Sequence, residues 1–325
     1  MKLHKQLSLP CVCAFIIATC LAAQSTYAEL ITDYVIFSQT KVQIGPDSVI
    51  TGLVGANFKA NDDAPLYTEV NLNGTAKVIG SVQSGDDVRI GSGGAITGNV
   101  TLPQSPPGLN PLNPAPGAGT LTNAGTIGGA VINAMPNLPS LPAATIFTSG
   151  GTNYGFSSNN QTLTLAPGSW GTVDFASSSI LNLSSGNYYF DALSSANNLT
   201  WNLNLTGGPI NIFVTGYAKF GSVDMTLTGG TASDVKIETH YNGLNAFLGG
   251  GNSHVFGDVF TPYGTIHIGS GSSASASFYG HLWGYDVDIE HGVEGSAPTS
   301  APEPGTLLLL GSGLIGLLGF RKLKK

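Results

Sequence analysis

Short alternations of apolar and polar residues, broken by glycine, repeat along the first part of this chain as V-x-[IL]-[GN]-x-x-x-x-[VI]-x-G-x-V. Val42-Gln43-Ile44-Gly45 leads to Ile50, Gly52 and Val54, and Val70-Asn71-Leu72-Asn73 leads to Val78, Gly80 and Val82. Val88-Arg89-Ile90-Gly91 leads to Ile96, Gly98 and Val100, and a degenerate fourth copy keeps Leu121, Ile127, Gly129 and Val131 at the same offsets. An alternation of period two places every second side chain on one face of a strand. Two such strands around a glycine turn form the unit of a β-solenoid rung, because stacking turns the apolar residues of every rung inward.

Longer strands follow. Residues 202–206, 210–215, 225–228 and 235–239 alternate in the same way, punctuated by Gly207-Gly208-Pro209 and Gly229-Gly230. Phe256-Gly257-Asp258-Val259-Phe260 before Thr265-Ile266-His267-Ile268 is echoed by Tyr279-Gly280-His281-Leu282-Trp283 before Asp286-Val287-Asp288-Ile289. Stacking these two copies sets His281 beside Asp258 and His267 near Asp288. No helical periodicity of useful length lies outside the hydrophobic termini. The strand pattern over residues 188–292 resembles the β-helical domains of bacterial surface and pilus-associated proteins and, more loosely, bactofilin-type polymer-forming domains and the ice-binding β-solenoid family. The resemblance implies an all-β, right-handed parallel β-helix or β-solenoid.

The expected organisation is a signal peptide at 1–28, solenoid repeats at 29–101, a Pro/Gly-rich connector carrying one degenerate repeat at 102–146, a β-helix domain at 147–295 and a C-terminal segment at 296–325. Prolines from Pro103 to Pro116, and again at Pro136, Pro139 and Pro142, remove backbone donors and break a ladder. The repeats on either side of the connector form two domains or stack into one solenoid; the pattern allows both.

The termini add an address. Lys2 and Lys5, an apolar run over residues 7–23 and Thr26-Tyr27-Ala28 have the order of a secretory signal peptide, with cleavage after Ala28. Thr19 is larger than the residue expected before a lipidated Cys20. At the other end, Pro302-Glu303-Pro304 precedes an uncharged leucine-rich run at 305–320 and the cations Arg321, Lys322, Lys324 and Lys325. As a single C-terminal transmembrane helix that run spans only about 24 Å, thin for a permanent anchor, and the cations hold its end on the cytoplasmic side. The tail resembles the PEP-CTERM sorting signal, although Ala301 stands where the family more often has valine. The resemblance implies an exosortase-type processing enzyme as partner. It also implies passage through the inner membrane, anchoring by the C-terminal helix, and delivery to the cell surface or matrix.

Cys11, Cys13 and Cys20 all lie in the leader, so the exported part has no cysteine and its fold rests on its core and its ladders. Between Glu29 and Pro302, six cations stand against eighteen acids, an exterior that opposes nucleic-acid binding. No charged residue falls between Arg89 and Asp174.

Candidate chemistry is sparse. His240, His254, His267, His281 and His291 lie among Asp258, Asp286, Asp288 and Glu290, but without H-E-x-x-H or H-x-H spacing they read as polar pairs on a strand face, and no metal site is expected. Asn61-Asp62-Asp63 and Gly85-Asp86-Asp87 are turn sequences that leave calcium as the one ion to consider; no other cofactor is expected. A lyase or hydrolase needs acids and a base converging in one groove, and after Arg89 the exported part has only Lys219 and Lys236, so no catalytic residue is assigned. Most aromatics suit core or stacked ladders, while Tyr263, Trp283 and Tyr285 are candidate carbohydrate contacts. Thr162-Leu163-Thr164 and Thr226-Leu227-Thr228 are two isolated Thr-x-Thr pairs, too few for a regular ice-binding ladder. The expectation is a non-enzymatic structural or adhesive protein of the envelope or of an exopolysaccharide or biofilm matrix. A polysaccharide-binding or polysaccharide-degrading β-helix, or an ice-binding solenoid, is the alternative.

Overall fold

The computed structural model describes residues 30–57, 70–103, 119–270 and 275–298. The expected signal peptide with Ala28, the turn at 61–63 and the C-terminal segment with Pro302, Glu303, Pro304 and the terminal cations lie outside them. Among the described residues no helix is long and apolar enough to cross a membrane. The fold is all-β apart from two single-turn helices, and every strand pairing is parallel.

The strands wind around a three-faced prism. One face is an 11-stranded sheet; the other two belong to a 17-stranded sheet, because five long strands bend through the corner between them. The long strands are Tyr34–Ile44, Gly168–Phe175, Gly186–Ser195, Asp258–Ile268 and Leu282–Ile289. Tyr34–Ile44 changes register between Ser38 and Lys41, and Asp258–Ile268 between Thr261 and Thr265, where each strand passes from the first face to the second.

The order along the stack differs from the order along the chain. Starting at Tyr34–Ile44, the chain climbs through the strands at 49–56, 70–84, 88–102 and 121–133 to one end of the prism. It then crosses to the far end and winds back from Tyr154–Gly155 to Glu294–Ser296. The last rung lands on the first: Leu282–Ile289 pairs with Tyr34–Ile44, and Glu294–Ser296 pairs with Val49–Thr51. The repeats before and after the connector therefore share one stack with a seam inside it.

Inward rows on all three faces build the core. On the second face, Leu121, Val88, Val70, Val42, Val287, Ile266, Phe247, Ala218, Leu193, Val173 and Tyr154 follow one another in register. All but the outermost two are fully buried. The apolar positions of the sequence repeat, including Ile44, Ile50, Val54, Val78 and Val82, occupy these rows. Glycine marks the corner between the third and first faces: at Gly80 (φ +155°) an added Cβ would overlap the carbonyl oxygen of Gly52, and at Gly280 (φ +148°) that of Gly257. The corner brings successive backbones closer than a side chain allows.

The crossing segment is a strap. From Ala134, whose amide donates to Leu102 O, residues 134–150 run down the outside of the first face to Gly150, whose amide donates to Trp170 O. Eleven strands about 4.8 Å apart stack to about 48 Å, and seventeen extended residues at about 3.3 Å each cover about 56 Å, so the strap runs nearly taut.

Candidate functional site

What the strap covers is a row of outward side chains on the first face. Tyr189, Phe213, Glu238, Phe260, Trp283 and Phe37 lie in register on six consecutive strands. Leu138 and Leu141 pack on a second apolar cluster of Tyr34, Phe37, Phe260 and Trp283, separate from the prism core. Asn57 Nδ2 donates to Pro139 O at 3.0 Å. Further down, the Phe147 ring lies 5.4 Å from Phe213, 5.9 Å from Tyr189 and 4.8 Å from His240.

In the middle of this row sits Glu238, fully buried. Its carboxylate accepts the Thr145 amide at 2.6 Å and the Thr145 hydroxyl at 2.7 Å, and it meets Lys236 Nζ and His240 Nε2, each at 2.8 Å. Burial pushes the Glu238 pKa up, but contacts with His240, Lys236 and Thr145 outweigh it and hold the group below the ordinary glutamate range. Glu238 thus pins the strap as a buried anion with its donors in place.

Burial under the strap corrects one candidate sugar contact. Trp283 is 8% exposed, and its indole N–H donates to Tyr34 O at 3.1 Å, so its ring faces strap and prism and offers no surface for a ligand. Tyr263 and Tyr285 remain on the surface, at 49% and 37% exposure. They belong to a longer series, since the chain passes the corner between the first two faces at Tyr217, Tyr241, Tyr263 and Tyr285 on four consecutive rungs. The Tyr217 and Tyr241 rings meet edge to face at 5.9 Å, with Lys219 Nζ 4.7 and 5.1 Å from their centroids. An edge of aromatic faces with one ammonium suits the apolar face of a sugar ring and its hydroxyls.

The predicted His/Asp pairs form, one at the start of the first face and one on the second. His281 Nδ1 lies 2.7 Å from Asp258 Oδ1, and His267 Nδ1 lies 3.8 Å from Asp288 Oδ2. Glu290 adds Oε1 at 3.3 Å from His267 Nε2, so that His267, Asp288 and Glu290 each bring a donor atom within 4.8 Å of the others. This is the one group among the described residues with the donors for a divalent ion. Burial raises the Asp288 pKa, and Glu290 and Asp286 push the same way, against His267 and Lys41. At the other acidic turn, burial and then the neighbouring Asp87 raise Asp86 to about 6. Asp87 Oδ1 accepts the Thr120 amide at 2.5 Å, and no third carboxylate or histidine joins the pair among the described residues.

The third face carries an outward polar row. Thr164, Asn182, Asn202 and Thr226 lie in register along it, with Asn202 Nδ2 donating to Asn182 Oδ1 at 2.8 Å and Asn182 Nδ2 to Thr164 Oγ1 at 3.0 Å. Phe256 and Tyr279 interrupt the polar row beyond Thr226.

Two solved structures are similar to this chain. One is the DUF3494 domain of Shewanella frigidimarina ice-binding protein 1, at 17% identity, covering 84% of this chain and 95% of that one, with a TM-score of 0.31. The other is an ice-binding protein from Arctic yeast (LeIBP), at 13% identity over 86% and 97%, with a TM-score of 0.33. No curated protein sequence matches. Residues 300–325 match the PEP-CTERM protein-sorting motif, the C-terminal signal of an exosortase substrate.

Proposed function

We propose that this chain is a non-catalytic structural or adhesive solenoid of the bacterial envelope or exopolysaccharide matrix, delivered by its C-terminal signal. The sorting motif at residues 300–325 carries the reading, since such a signal implies export and membrane-linked sorting to the cell surface. What travels with it is a long prism in which several carboxylates are held by their own neighbours: Glu238 by the strap, Asp258 by His281, Asp174 by Ser194 and Asp191 by Ser149. Asp288 and Glu290, which do converge, face the same His267. Contact with exopolysaccharide falls to the tyrosine edge at Tyr217, Tyr241, Tyr263 and Tyr285. The test is fractionation and intact-mass analysis of the chain in cells with and without the exosortase. Loss of the tail mass and release from the membrane are expected only with the enzyme; an unchanged mass and location would sink the reading.

A second reading, binding to ice, is favoured by the third face alone, where Thr164, Asn182, Asn202 and Thr226 repeat in register at the strand spacing. Thermal hysteresis that disappears in Asn202→Lys would support it, and growth of ice crystals at the unperturbed freezing point would exclude it.

A further inference from the structure

The prism has two ends, and among the described residues neither is closed. At one, the outermost strands are Leu121–Asn123, Thr126–Ile127 and Val131–Asn133; at the other they are Tyr154–Gly155, Thr162–Leu165 and the start of Gly168–Phe175. Inward side chains are bared at both. Val131 is 43% exposed and Leu121, Ile127, Tyr154 and Leu163 are half-buried, whereas Val100, Val88, Ile96, Val173 and Leu181, one rung in, are buried. At the second end residues 150–152 run beside Trp170 and Gly171 at one corner; no helix covers either end among the described residues.

Open strand edges on a protein that stays monomeric are normally blunted with charge, above all lysine, or with proline. Here neither device is present. The outermost strands of both ends contain no proline, and both ends fall inside the stretch from Arg89 to Asp174 that carries no charged residue. Every charge on the exported part belongs to the rungs between the ends or to segments outside the described residues. This distribution is independent of the apolar exposure and points the same way.

The two ends also fit each other. All ladders are parallel and on each face an inward row runs through every rung, so a translation along the axis continues each of these rows from one copy into the next. We propose that copies of this chain stack head to tail through these ends. The register places Leu121 over the next copy's Tyr154, Ile127 over its Leu163 and Val131 over its Gly168. Around Gly168 nothing lies within 4 Å of where a Cβ would be, which leaves room for the valine. A head-to-tail contact related by translation does not close, so the product is a filament. The inference does not depend on how the chain is sorted.

The test is electron microscopy and sedimentation of the full chain in detergent over a range of concentrations. Expected are rods that lengthen with concentration and repeat along their axis about every 53 Å, eleven strands at about 4.8 Å. Val131→Lys, at an exposed position, should remove the rods and raise the concentration needed for assembly at least tenfold. Added to wild-type chain in small amounts, it should shorten the rods, because its other end remains intact. Circular dichroism checks its fold, and Thr162→Lys, at an exposed position of the opposite end, gives a second reading of the same loss. Thr51→Lys, on the flank at mid-stack, should leave the rods unchanged. A single sedimenting species at every concentration, or rods of normal length and abundance in both Val131→Lys and Thr162→Lys, would overturn the proposal.

Discussion

Replacing Glu238 by alanine tests whether the strap is part of the fold or a loose connection. The substitution removes the acceptor of four contacts, leaving the Thr145 amide and hydroxyl, His240 and Lys236 without it. Lys236 is 39% exposed and rehydrates, so its share is small. The others are part-buried, and removing one member of a buried, hydrogen-bonded charge cluster costs about 3–5 kcal/mol. Thr145→Val removes only the hydroxyl and should cost about 1–2 kcal/mol. If the two act through one contact, the double mutant falls short of the sum by about 1–2 kcal/mol. Urea unfolding gives the energies, and hydrogen exchange at the Thr145 amide reports the strap itself. Glu238→Ala should lower the midpoint and speed that exchange together. The pKa gives a third check: a carboxylate held below its ordinary value contributes stability that is complete above about pH 4.5 and is lost as the pH falls through the lower, folded value. The variant should therefore lose most of its disadvantage in acid. A midpoint within about 0.5 kcal/mol of wild type, with unchanged exchange at Thr145, would refute the anchoring role.

Two further outcomes are expected. Asp86 is raised to about 6 by burial and by Asp87, so its ionised form is disfavoured in the fold and stability falls as pH climbs from about 4 to 6; Asp86→Asn should raise the melting temperature at pH 7 and make no difference below pH 4, and an equal effect at both would contradict the assignment. Gly80→Ala forces a Cβ against the Gly52 carbonyl at a positive φ, costing about 1–3 kcal/mol in backbone strain before the clash is counted; a thermal melt unchanged from wild type would mean the corner can relax.

The core rows were the part most legible in the sequence. Val42, Ile44, Ile50 and Val54 announce their inward direction by alternation, and the echo between residues 256–268 and 279–289 gives the register that pairs His281 with Asp258 and Phe260 with Trp283. Both signals are local or strictly periodic. The strap was not legible for the opposite reason: Leu138, Leu141 and Phe147 follow no period, and their partners lie far along the chain on a face that alternation marks as outward. By alternation alone Trp283 is a surface aromatic. Glu238 carries no mark of its own, because a lone carboxylate on a strand normally faces solvent. Its position in register between Phe213 and Phe260 was the available clue, since an outward row of large aromatics implies something lying over it. The seam between first and last rungs left no trace, because a parallel rung pairs equally well with any neighbour of the same pattern.

That seam decides how the molecule is held. Residue 298, where the described chain ends, and Leu30, where it begins, leave the prism from the same corner, four strands from one end of the third face and seven from the other. A tether attached at residue 298 would grip the flank of the rod at about a third of its length. A pull on it would swing the rod like an unequal balance beam, long side toward the point of attachment.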